Sequence, residues 1–250
     1  MFTVQGPTEK VVVVGAGLAG LSTAMRLAGA GREVVVLERE DRPGGRAGRL
    51  EMGGYSFDTG PTVLTMPDLI EDAFAALGED YRDWLDLLPL DPAYRAFYPD
   101  GSTMDVFADP ERMATEIEQQ IGVDEAAGYL RFVDYVGQMY KLEIREFIDR
   151  NLDSPLDLLT PNLARLVALG GFGRLQRKVD TFLKDPRTRR LFSFQAMYAG
   201  LSPYKALALY SVISYMDSVA GVYLPRGGMH ALPQAMADAG VGIRPWQFAL

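Results

Sequence analysis

Three glycines at fixed spacing, set between a β-branched run and a stretch of helix formers, constrain this chain more than any other feature. Lys10-Val11-Val12-Val13-Val14 runs straight into Gly15-Ala16-Gly17-Leu18-Ala19-Gly20, a G-x-G-x-x-G hexapeptide. A short β-branched run of this kind predicts a buried parallel strand. Leu18–Ala30 predicts a helix closed by Gly31, and Glu33–Glu38 predicts a second buried strand, which completes a β-α-β unit. In such a unit the first glycine makes the tight turn and the second lets the backbone approach a pyrophosphate. The third lets helix and strand pack closely, while the helix N-terminus faces the phosphate charge. Gly15, Ala16, Gly17, Leu18, Ala19 and Gly20 are therefore expected to line a dinucleotide. Glu38, with Arg39 beside it, lies eighteen residues beyond Gly20. A carboxylate there accepts hydrogen bonds from ribose hydroxyls and repels a 2′-phosphate, which disfavours NADP.

Composition narrows the chemistry. The 250-residue chain has no cysteine and a single histidine, His230. That excludes a disulfide framework, a thiolate metal site and a Cys nucleophile, and leaves a His-ligated metal or a Ser-His-Asp triad almost nothing to build with. No metal site is expected, and any redox chemistry has to come from a borrowed cofactor. The net charge of -8 argues against nucleic acid, since phosphate contacts need Lys and Arg. One segment has the opposite sign: residues 161–192 carry +6 and the remainder -14. The N-terminus, MFTVQGPTEK, has no basic region ahead of an apolar one and does not read as a signal peptide. No apolar stretch is long enough to span a bilayer, so a cytoplasmic location is expected.

Beyond Glu38, Arg39–Gly48 reads as a loop and Arg49–Asp58 as a hairpin turning at Gly53-Gly54. Pro67–Leu77 predicts an amphipathic helix. Tyr94–Tyr98 and Thr103–Phe107 flank the turn Pro99-Asp100-Gly101-Ser102, and Asp109-Pro110-Glu111 opens a helix with Asp at the N-cap. Asp124–Asn151 has helical spacing of Tyr129, Phe132, Val136 and Tyr140. Further helices are expected over 161–169, 175–183, 187–197 and 204–215, then a strand over Val222–Leu224 and a helix over Met229–Ala239. The plan is a nucleotide-binding start (1–92), a mostly helical insertion (93–220) and a return to the first domain (221–250).

Arg42-Pro43-Gly44-Gly45-Arg46 follows close behind Glu38, offering glycines for close backbone approach and, in Arg46, a bidentate phosphate ligand. Together with the glycine hexapeptide and Glu38, this stretch resembles the flavin amine oxidase and carotenoid desaturase superfamily, whose members carry a GG-R stretch soon after the acidic residue. Phe57-Asp58-Thr59-Gly60-Pro61-Thr62 resembles a further piece of that pattern. Gly221–Leu232, GVYLPRGGMHAL, resembles the G-V-[WY]-x-P-x-G-G-M segment of bacterial phytoene desaturases, and the chain is similar to that group from Lys10 to about Arg244.

The resemblance implies an α/β, Rossmann-like FAD-binding domain of the glutathione-reductase type, incomplete, with an inserted helical substrate domain. It implies FAD as cofactor, with Gly44, Gly45 and Arg46 near its phosphates and flavin, and with Gly60, Pro61 and Thr62 approaching it. The implied reaction removes a hydride and a proton from a long apolar polyene. It leaves open an amine oxidase, a carotenoid isomerase or saturase, and an inactive FAD-binding fragment. Family members are longer and supply another Gly-rich flavin segment from a C-terminal half. Pro245-Trp246 departs from the pattern, so a truncation or frame change near Arg244 is expected, with the missing half as a needed partner.

A polyene lives in a membrane, and residues 161–192 suit that demand. Leu163, Leu166, Val167, Leu169, Phe172 and Leu175 alternate with Arg165, Arg174, Arg177 and Lys178, the composition of an interfacial amphipathic helix. Each cation near an anionic leaflet adds about 1 kcal/mol. Peripheral contact with the inner face of the membrane is one reading, and an ordinary charged helix face is the other. Asp157, in Ser154-Pro155-Leu156-Asp157-Leu158-Leu159, resembles an acidic position of the desaturases, and Arg226 lies in the flavin-facing segment. These two are the candidate catalytic residues, with capping and surface roles as their alternatives. His230 reads as structural.

Overall fold

Lys10–Val14 forms strand β1, and helix α1 (Leu18–Gly29) carries the chain back to β2 (Glu33–Glu38), which runs parallel to β1 with Lys10 opposite Glu33 and Val14 opposite Leu37. The computed structural model describes residues 9–148, 153–239 and 243–245. The hairpin of β3 (Arg49–Met52) and β4 (Tyr55–Asp58) turns at Gly53 and Gly54, both at positive φ (61° and 81°), as a two-residue hairpin of this twist requires. Helix α2 (Pro67–Ala75) opens on a proline, whose missing N–H costs nothing in a first turn, and β5 (Leu87–Pro89) ends this first pass. The chain divides into two units, Met1–Pro89 with Tyr223–Leu250, and Leu90–Val222.

The second unit opens with the antiparallel pair β6 (Tyr94–Phe97) and β7 (Thr103–Val106). Helix α3 (Pro110–Gln120) starts at Asp109, whose carboxylate accepts the Arg112 amide at 2.8 Å. Helix α4 (Val123–Glu143) runs on as a π turn, Ile144–Ile148; its expected end at Asn151 lies outside the described residues. Tyr129, Phe132, Val136 and Met139 bury one face of α4 against Leu166 and Phe192. Each such side chain contributes about 1.5–3 kcal/mol.

The 161–192 segment forms three helices: α5 (Pro161–Ala168), α6 (Leu175–Phe182) and α7 (Pro186–Leu191). The helix expected over 187–197 breaks after α7 into a 3-10 turn, Phe194–Ala199. The Gln195 side-chain amide donates to the Leu191 carbonyl (3.0 Å) and the Ser214 hydroxyl to that of Phe192 (3.3 Å), so side chains take acceptors that a continuing helix would use. Helix α8 (Ser211–Ser218) starts later than expected, because the Leu175 amide donates to the Ala206 carbonyl (3.0 Å) and the Ala208 amide to that of Gly173 (2.8 Å), which holds 206–207 outside any helix and leaves Ala208–Tyr210 as a 3-10 turn.

The chain then returns to the first unit as β8 (Tyr223–Pro225), α9 (Ala231–Asp238) and β9 (Ile243–Pro245). Strand β8 pairs antiparallel with β5, a strand that local pattern did not predict. Strand β9 adds parallel to β2, giving the order β1-β2-β9. Pro245 pairs with Glu38 as the last residue of an outer strand, where its missing N–H breaks no central ladder. Leu21, Met25, Phe74, Leu232 and Met236 build the core of this unit. On β1, Val12 and Val14 remain 52% and 61% exposed among the described residues. No helix of the described residues is long and apolar enough to cross a membrane.

Candidate cofactor site

The turn after β1 is built around glycine. Gly15 has φ 99°, and its amide donates to the Leu37 carbonyl at 2.7 Å, fastening the turn to β2. A Cβ on Gly20 would stand 2.0 Å from the Gly15 carbonyl oxygen, so α1 approaches the turn only because that side chain is absent. The 39–48 loop lies against the same turn. Its Gly44 amide donates to the Ala16 carbonyl at 2.8 Å, and a Cβ on Gly45 would come within 3.3 Å of the Gly17 Cα. Gly60 brings in the third motif: a Cβ there would meet the Arg46 carbonyl oxygen at 1.7 Å, while the Thr59 amide donates to the Gly48 carbonyl at 3.0 Å.

Glu38 ties these pieces together at the end of β2. It is 8% exposed. One carboxylate oxygen accepts the Ala16 amide at 2.5 Å, and the other accepts those of Arg39 (2.8 Å) and Glu40 (3.0 Å). Burial pushes its pKa up, but the amides of Glu40, Ala16 and Arg39, with the Arg39 charge, outweigh it and hold the carboxyl below its usual range. Glu38 lines a cleft of about 650 Å³ together with Arg39, Arg42, Gly45, Thr59 and His230. Arg39 pairs with Glu40 (2.7 Å) and Arg42 with Glu51 (3.3 Å). Arg46 is exposed and, among the described residues, makes no hydrogen bond or ion pair, so its guanidinium is uncommitted.

The remaining predicted residues are placed as follows. Ala16 is buried, and Leu18 and Ala19 form the first turn of α1. Gly60, Pro61 and Thr62 are exposed. Leu18 and Pro61 line a second, mostly apolar cleft of about 380 Å³ with Met66 and Met229. Arg226 makes an exposed ion pair with Asp86 at 2.7 Å. Asp157, in the second unit, closes a capping box: its Oδ2 accepts the amides of Asp153 (3.0 Å) and Ser154 (2.8 Å). Among the described residues no three His, Asp or Glu side chains are grouped to hold a metal.

Two pairs of residues received no role in the site from the sequence, which read His230 as structural. Asp58 binds the return segment to the end of β4 and His230 binds it to the 39–48 loop, and the available signals were the Asp inside the quoted F-D-T-G-P-T stretch and the chain's single histidine. Asp217 and Glu143 are buried carboxyls of the second unit, raised by desolvation to about 7 and about 8 respectively. Ser218, Gln195 and Tyr198 lie near Asp217, yet neither of its oxygens closes a hydrogen bond.

The cationic segment is partly neutralised. Arg187 pairs with Asp185 (3.1 Å), Arg189 with Asp180 (3.3 Å), and Arg174 donates to the Lys205 carbonyl (2.5 Å). Leu166 and Leu175 are buried in the core, while Val167 and Phe172 face outward.

A family model described as flavin containing amine oxidoreductase matches residues 18–245. The chain is 61% identical over 239 residues to the phytoene dehydrogenase of Streptomyces griseus, which covers 96% of this chain and 47% of the relative. It is 36% identical over 232 residues to the zeta-carotene-forming phytoene desaturase of Myxococcus xanthus, covering 91% and 44%. The fold is similar to that of a putrescine oxidase solved with putrescine bound, at a TM-score of 0.54 and 18% identity, covering 96% of this chain and 51% of that one. The chain thus spans about half the length of the relatives it matches.

Proposed function

The chain belongs to the flavin-containing amine oxidoreductase family, and from that premise we propose that its first unit holds FAD and that the chain forms the cofactor-binding and helical part of a phytoene-type carotenoid desaturase. The observation that carries the cofactor reading is that the Gly15–Gly20 turn is hydrogen-bonded through Ala16 both to the Gly44–Arg46 loop and to the Glu38 carboxylate, while Glu38 and Gly45 line one cleft. Gly17 leaves its backbone bare for a pyrophosphate: a Cβ there would find its nearest neighbour, the Gly44 carbonyl oxygen, only at 4.0 Å. The N-terminus of α1 and the uncommitted Arg46 supply positive charge to the phosphate oxygens. Glu38 takes the ribose hydroxyls, and with Glu40 and Asp41 it repels a 2′-phosphate. Bound FAD supplies a two-electron acceptor, which accounts for a chain without cysteine and with one histidine.

The identity to phytoene dehydrogenase supports a long apolar polyene as substrate. Asp157 and Arg226 are the side chains we assign to proton handling and to the flavin-facing segment; the capping bonds of Asp157 both close on Oδ2, which leaves Oδ1 outside the capping box. Val167 and Phe172, exposed beside Arg165 and Arg177, support peripheral contact with an anionic membrane. The exposure of Val12 and Val14 supports further chain completing the first unit, since parallel sheets are ordinarily covered on both faces.

Titration of the purified chain with FAD, followed by flavin fluorescence, tests the cofactor reading. Saturable quenching is expected that excess NADP does not reverse; displacement of FAD by NADP at equal concentration would contradict it.

A further inference from the structure

The return segment of the first unit is fastened to the glycine loops by side chains that no motif assigns. Asp58, the last residue of β4, accepts the amides of Met229 (2.8 Å) and His230 (3.1 Å) through separate oxygens. Gly228 just before them has no room for a side chain, because a Cβ would stand 2.7 Å from Asp58 Oδ2. These contacts fix where the run into α9 begins, and with it the ring of His230. That ring is buried, and its Nε2 lies 2.9 Å from the Pro43 carbonyl oxygen. A carbonyl only accepts, so the neutral ring carries its proton on Nε2 and donates it. The next residue, Gly44, donates to Ala16 and bridges to Gly17, and a Cβ on Gly44 would meet His230 Cδ2 at 3.3 Å.

We propose that His230 is a positioning residue for the cofactor, latching the Gly44–Arg46 loop against the Gly15–Gly20 turn so that the two glycine backbones form one preformed surface for the dinucleotide phosphates. This rests on the FAD reading above. Gly44 and Gly45 sit at φ 124° and 55°, conformations that glycine reaches freely and therefore also leaves freely. Ordering such a residue costs conformational entropy. Held by His230, the loop meets that cost on folding; released, it meets it on binding, and affinity falls.

Because His230 is the only histidine, its ring can be observed in the unmodified chain. A long-range proton–nitrogen spectrum is expected to show the Nε2-protonated tautomer with an N–H protected from exchange. Amide hydrogen exchange and FAD titration of His230→Leu and His230→Gln then follow. In His230→Leu, exchange at the Gly44 and Ala47 amides should rise while β1 and β2 amides stay protected, and FAD affinity should fall about fivefold to tenfold. His230→Gln restores an N–H donor of similar reach and should recover both. An Nδ1-protonated or freely exchanging ring, unchanged loop exchange in His230→Leu, or a Gln variant no better than Leu would overturn the proposal. The exchange readouts need no flavin, which separates the two claims. A chain with a latched ring that does not bind FAD overturns the cofactor reading, whereas one that binds FAD with an unlatched ring overturns the latch alone.

Discussion

Glu38 ends β2 with its carboxylate bonded to three backbone amides, and those bonds outweigh the burial that opposes its charge. Its folded pKa therefore lies below the unfolded value of about 4.3. The stability it contributes is fully present above that value and is lost as the pH falls through the lowered one. Glu38→Gln places an amide where an acceptor is needed, so thermal melts should show a loss at pH 7 that shrinks as the solution is acidified. Asp217 has the opposite sign. Burial raises it to about 7, so the folded protein binds a proton that the unfolded chain has released, and stability falls as the pH rises from about 4 through 7. Asp217→Asn stays neutral throughout. It should melt near the parent at pH 4 and above it at pH 8; a difference independent of pH would contradict this assignment.

At the scale of elements, Gly17 and Gly20 separate folding from binding although both belong to one hexapeptide. Gly20→Ala drives a methyl to 2.0 Å from the Gly15 carbonyl oxygen and should destabilise by about 2–4 kcal/mol. Gly17→Ala, at φ -72° with open space around its Cβ, should leave the melting temperature unchanged and weaken FAD. Melting curves and flavin titrations of the two variants check the contrast. These glycines are legible in the sequence because their demands are local, a positive φ or a close approach within a few residues. What the sequence did not disclose depends on distant partners. Leu87–Pro89 is a strand only because Tyr223–Pro225 lies beside it, and the 187–197 helix breaks because Gln195 and Ser214 take its carbonyls. Spacing likewise could not tell that Leu166 and Leu175 face the core while Val167 and Phe172 face out. The contact of His230 with Pro43 joins residues 187 apart, a separation no motif spans.

For the whole molecule, the second unit is inserted between β5 and β8, so the segment that carries Arg226 and His230 reaches the cofactor loops only after residues 90–222 have been made. On the proposed reading two functions are divided: the first unit holds the dinucleotide, and the second offers apolar and cationic surface to a lipid-borne substrate. Flotation with anionic liposomes tests the second. Arg165→Glu with Arg177→Glu should lower the bound fraction, and unchanged flotation would contradict membrane contact. These arginines, unlike Arg174 and Arg187, make no backbone bond or ion pair among the described residues that charge reversal would break. Whether the glycine loops and Glu38 hold FAD decides the rest. The visible absorbance of the chain after incubation with FAD and gel filtration tests it most directly. A co-eluting flavin band near one equivalent, lost in Gly17→Val while that variant still melts cooperatively, is the predicted result. A folded chain that elutes without flavin, or that retains it equally in Gly17→Val, would contradict the account.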